Sequence, residues 1–144
     1  MMPVELVGDL WSFHWIPSLR PSLISKIESR SGIANLEEIA RLSDAILIDR
    51  GDLSRQVPLE QIPGYQKDII ERVKAAGRPV YVATNLLESM VHMPVPTLAE
   101  ISDIYNTLED GADGLVLAAE TAVGKFPAQC VEMVMSVIAE FERT

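Results

Sequence analysis

Four short apolar runs, each followed by a stretch of helical periodicity, constrain this chain more than any other feature. The runs are Leu23–Ile27, Ala45–Ile48, Val80–Ala83 and Leu115–Ala118. They are short and continuous, as strands are when a sheet is covered on both faces. Behind the first, Asn35 and Glu38 read as a capping box ahead of Leu36, Ile39 and Leu42. Behind the second, Pro63 opens a face of Tyr65, Ile69, Ile70, Val73 and Ala76 that Gly77 stops. Behind the third, Thr97 and Glu100 repeat the capping box before Leu98, Ile101, Tyr105 and Leu108, and Gly111 stops them. Behind the fourth, Val131, Val134, Met135 and Ile138 hold helical spacing to the end. Four successive βα units predict an α/β fold with a parallel sheet. Ligands in such folds bind at the carboxyl ends of the strands.

Charge gathers at those ends. Lys26-Ile27-Glu28 closes the first run, and alternation along a strand puts Lys26 and Glu28 on one face. Arg50-Gly51-Asp52 follows the second run, with Gly51 where a backbone can approach a ligand closely. If the two strands are neighbours, Glu28 and Asp52 converge, and carboxylates beside basic groups suit a hard divalent cation holding a phosphorylated anion. Taken singly, Lys26 and Glu28 would be a solvated ion pair, and Asp52 a turn residue after glycine. Thr84 closes the third run and Glu120 follows the fourth, where it reads as an acceptor for backbone amides.

The motifs come in a particular order: Ile24-Ser25-Lys26-Ile27-Glu28, Arg50-Gly51-Asp52-Leu53, Ala83-Thr84-Asn85-Leu86-Leu87-Glu88-Ser89-Met90, Pro94-Val95-Pro96-Thr97-Leu98-Ala99-Glu100, Asp110-Gly111-Ala112-Asp113 and Glu120-Thr121-Ala122. That succession resembles the second half of the (β/α)8 barrel of pyruvate kinase, over residues 22–142. The resemblance implies four parallel βα units equivalent to half of such a barrel. It implies a magnesium-dependent glycolytic phosphotransferase that turns phosphoenolpyruvate and ADP into pyruvate and ATP. It places Lys26 against the transferred phosphoryl group and Thr84 beside the substrate carboxylate near the enolate carbon. It gives that carboxylate to the backbone at Arg50, Gly51 and Asp52, and makes Glu28 and Asp52 ligands of magnesium, or manganese in its place. Potassium also serves the family, but its ligands lie in the barrel half that has no counterpart here.

Several positions depart from the family pattern. Asp49 replaces the alanine before Arg-Gly-Asp, Ser54 a glycine, Asn85 a glutamine and Leu98 an arginine associated with subunit contacts. Ala118-Ala119 replaces Ser-Gly, and that serine is associated with the proton relay to the enolate. A complete barrel of this type takes about 250 residues, against 144 here. The isolated chain is therefore expected to show weak or no turnover. Two other readings stand beside the phosphotransferase. One is a non-catalytic, metabolite- or magnesium-binding or regulatory scaffold derived from the family. The other is a magnesium-dependent lyase or aldolase acting on pyruvate enolate.

Composition narrows the partners. A formal charge of −9 argues against a nucleic-acid surface. No apolar run approaches the roughly 20 residues of a membrane span. The start lacks the pattern of a signal peptide, and the lone Cys130 fits a reducing, cytoplasmic setting. Residues 1–21 form an aromatic-rich segment with Trp11, Phe13, His14 and Trp15, read as cover for a sheet edge or as an interface. Unpaired edges, and strand faces carrying Ile24, Ile46, Ile48 and Val82, predict a homo-oligomer or docking to a missing half-barrel.

Overall fold

The computed structural model of the protein describes residues 20–144. The aromatic-rich segment read from the sequence lies, but for its last two residues, outside them. The elements in chain order are β1 (Ile24–Ile27), α1 (Arg30–Ala34), α2 (Leu36–Leu42), β2 (Ala45–Asp49) and α3 (Arg50–Leu53). Then come α4 (Ile62–Ala75), β3 (Val80–Ala83), α5 (Leu98–Glu109), β4 (Gly114–Val116), α6 (Ala119–Ala122) and α7 (Pro127–Glu142). The four strands pair in the order β1-β2-β3-β4, every neighbour parallel. This is the α/β architecture that the alternation of runs and helices predicts.

The register decides which side of the sheet is which. Ile27 pairs with Ile48, Ile48 with Val82, and Val82 with Leu115. On that face Ile27, Ile46, Ile48, Val80 and Val82 are wholly buried and pack with Leu36 and Ala40 of α2 and Ile69, Ile70 and Val73 of α4. The opposite face carries Ile24, Lys26, Leu47, Asp49, Tyr81 and Val116. Of the residues expected on an uncovered face, only Ile24 is there, 48% exposed; Ile46, Ile48 and Val82 lie under helices. Alternation groups residues within one strand, but the inter-strand register is needed to align one strand's face with the next.

Helix ends follow local chemistry. Thr97 and Glu100 form the full capping box of α5. Gly77 and Gly111, just beyond α4 and α5, take φ of 74° and 102°, a backbone that suits glycine. The box at Asn35 does not form, because Asn35 closes α1 as well as opening α2 and turns its amide to the Ser31 carbonyl. The buried stripe of α7 is Cys130, Val134 and Val137, one residue away from the Val131–Met135 pairing that spacing suggests. It joins Leu86, Leu87, Met90 and Ile104 in a second apolar cluster under β4.

Candidate functional site

Lys26 is the hub of the site. Its strand ends at Ile27, so Glu28 follows on the same face, and β2 ends beside it at Asp49. Lys26 Nζ lies 2.9 Å from Glu28 Oε2, 2.9 Å from Asp49 Oδ2 and 3.9 Å from Asp52 Oδ2. Glu28, and then Asp49, hold the ammonium well above its ordinary pKa, so it stays charged at neutral pH. Burial alone would push the Asp49 carboxyl up. The Lys26 ammonium, the Asp52 amide and the Thr84 hydroxyl outweigh burial and bring it below the usual range.

Asp49 also shapes the turn that follows. Its Oδ1 accepts the Asp52 amide at 3.2 Å and so caps α3, which carries Arg-Gly-Asp-Leu in a single helical turn. Gly51 is required here, since a Cβ would sit 2.9 Å from Thr84 Oγ1. The absence of that Cβ lets the Gly51 amide donate to Thr84 Oγ1 at 2.7 Å.

Thr84 and Asn85 take φ of 71° and 61°. A β-branched residue there is a genuine outlier, the kind of strain that surrounding structure must hold in place. Arg50 does so, donating Nε and Nη2 to the Thr84 carbonyl at 3.1 and 2.8 Å. Asp103 on α5 fixes the same guanidinium with two bonds of 2.7 and 2.9 Å. Further along the same loop Glu120, 2% exposed, accepts the Leu87 amide at 3.0 Å and the Ala118 amide at 2.8 Å. Glu120 thereby ties the loop after β3 to the loop after β4, in the amide-accepting role that the sequence suggests.

Among the described residues, Glu28, Asp49 and Asp52 bring together carboxylate oxygens that all lie within 4.8 Å of one another. Glu28 Oε2 is shielded from solvent and has no aligned hydrogen-bond donor, although Lys26 is close. A shielded oxygen whose one close cation is the Lys26 ammonium, within a set of hard carboxylates that outnumber that cation, fits a further cation such as Mg2+. An open cavity of about 300 Å3 is lined by Arg50, Gly51, Asn85 and Asp103 with apolar Leu59 and Ile62. Lys26 and Glu28 lie outside its lining, so shape and charge mark neighbouring places, not one.

The structure thus gathers Lys26, Glu28, Asp52, Gly51 and Thr84 at the strand ends, while the Arg50 side chain is spent on Thr84 and Asp103. Asp103 had no signal in the sequence, because it meets Arg50 across 53 residues of chain. For Asp49 the signal was parity with Leu47, which turns its side chain toward Lys26 once the register is known.

The family model for the pyruvate kinase barrel domain matches residues 18–131. The chain belongs to the pyruvate kinase family. It is 46% identical over 139 residues to a pyruvate kinase of Agrobacterium vitis, covering 96% of this chain and 27% of that protein. It is 48% identical over 121 residues to the pyruvate kinase of Thermotoga maritima, covering 84% of this chain and 26% of that one. A crystal structure of a pyruvate kinase from Cryptosporidium parvum superposes with a TM-score of 0.82 at 42% identity, over 85% of this chain and 25% of that one. The chain therefore spans about a quarter of the length of the pyruvate kinases it matches. Among the described residues, no helix is long and apolar enough to cross a membrane.

Proposed function

We propose that this chain is the metal and phosphoryl side of a pyruvate kinase-type phosphotransferase site, acting on phosphoenolpyruvate and ADP in glycolysis. The observation that carries the reading is the convergence of Lys26, Glu28 and Asp52 at neighbouring strand ends. Phosphoryl transfer is mostly positioning and charge neutralisation, so the site needs fixed positive charge and little else. Lys26, held protonated, supplies such a charge beside the phosphoryl group. Glu28 and Asp52 would hold magnesium or manganese, and the ion when bound would neutralise charge on the phosphoryl and enol oxygens. The backbone at Arg50, Gly51 and Asp52, with the Thr84 hydroxyl, would orient the substrate carboxylate, the Gly51 amide acting through Thr84 Oγ1, to which it donates at 2.7 Å. The potassium and nucleotide sides lie outside this reading of the chain. A cytoplasmic setting belongs to it, supported by the lone, buried and unpaired Cys130.

A scaffold that binds the metal or metabolite without turnover is the second reading. Ala118 favours it, since a methyl group cannot relay a proton to an enolate. Calorimetric titration with Mn2+ tests the shared part of both readings. Asp52→Ala is expected to weaken Mn2+ binding by at least about tenfold, and equal binding by both proteins would remove Asp52 from the site. A coupled assay tests the scaffold reading. The isolated chain is expected to form pyruvate weakly or not at all, and robust turnover lost in Lys26→Ala would retire the scaffold.

A further inference from the structure

Asp49 has no part in the phosphotransferase reading, yet it is the most buried carboxylate of the cluster, at 7% exposure. Both its oxygens are engaged. Oδ2 lies 2.9 Å from Lys26 Nζ, and Oδ1 accepts the Asp52 amide at 3.2 Å and the Thr84 hydroxyl at 3.4 Å. These three donors are the ones that the phosphotransferase reading gives to the substrate's phosphoryl and carboxylate groups. An anion belonging to the chain thus takes the contacts that a substrate anion needs.

Charge points the same way. Glu28, Asp49 and Asp52 set three negative charges against the one positive charge of Lys26. A divalent ion would leave the cluster neutral; without Asp49 it would be positive. The other nearby cations compensate poorly. Arg55 reaches Asp52 only at 3.6 Å and is 82% exposed, while Arg50 is bound by Asp103. A neutral site offers little attraction to a highly charged ligand and loses less with a weakly charged one.

We propose that Asp49 is a specificity-determining residue, an internal anion that competes with phosphorylated enol acids for Lys26 and the Asp52 amide and turns the site toward unphosphorylated keto acids. The inference rests on the phosphotransferase reading of the same residues. Its test is calorimetry on the full chain saturated with Mn2+, using phosphoenolpyruvate and pyruvate as probes, on wild type, Asp49→Ala and Asp49→Asn. The asparagine keeps the volume of the side chain and can still accept the Asp52 amide, so it decides the matter if the alanine variant fails to fold. Phosphoenolpyruvate affinity is expected to rise at least about tenfold in the variants while pyruvate affinity moves less than about threefold. Unchanged or undetectable phosphoenolpyruvate binding in all three proteins, or an equal gain for both probes, would overturn the role of Asp49 alone. No Mn2+ uptake by any of the three would bring down the phosphotransferase reading, and this inference with it.

Discussion

Arg50 braces a strained backbone. Thr84 sits at φ 71°, and its carbonyl is held by two bonds from one guanidinium that Asp103 pins in turn. A lysine keeps the charge but has no planar fork, so it cannot hold the Thr84 carbonyl and both Asp103 oxygens together. Arg50→Lys is expected to cost about 2 kcal/mol of stability, measured as a lower midpoint in urea unfolding with an unchanged slope. A wild-type midpoint would mean that the Thr84 loop stands without its brace. This arrangement also marks the limit of what the sequence discloses at this scale. Lys26 and Glu28 could be paired from strand alternation, and Asp52 joined to them by assuming neighbouring strands. The partnership of Arg50 with Asp103 depends on how α5 packs, and nothing local to either residue encodes it.

At the scale of elements, β1 is held at its start by charge more than by apolar burial. Arg20 makes two bonds to Asp44, of 2.9 and 2.6 Å, and the Leu23 amide donates to the same carboxylate at 2.6 Å. Arg20 and the Leu23 amide hold the Asp44 carboxyl down to about 2. In the unfolded chain it would titrate near its ordinary value of about 3.9. The folded value is the lower one, so the stabilisation is fully present above the unfolded pKa and is lost as pH falls from about 4 toward 2. The gap in melting temperature between wild type and Asp44→Asn should therefore be present at pH 7 and shrink at pH 2.5. A gap of equal size at both would show that the contribution is not charge-linked. Strand positions were legible in the sequence because their runs are continuous, although the fourth, read as Leu115–Ala118, lies further along than β4, which spans Gly114–Val116. Helix faces were less so: α7 buries Cys130 and Val137 where Val131 and Met135 fit the period as well, and Met135 is 58% exposed. Two overlapping stripes of similar hydropathy leave the choice to the neighbour, here Leu86, Met90 and Ile104.

For the molecule as a whole, the described residues place no strand beyond β1 on one side or β4 on the other. Each such edge presents unpaired backbone donors and acceptors. The face that carries the site adds apolar surface at Ile24 and Val116, the latter 37% exposed. That surface is narrower than the sequence suggested, since Ile46, Ile48 and Val82 are covered by α2 and α4, but it adjoins both edges. The expectation that follows is association of the 144-residue chain into a dimer or larger species, with β1 or β4 at the contact. Light scattering coupled to size exclusion over a micromolar concentration range reads the mass directly. Ile24→Lys places a charge on the apolar face beside the β1 edge, outside the buried core, and is expected to shift the mass toward the monomer without unfolding the chain. A folded wild-type monomer throughout that range would end the proposal of self-association.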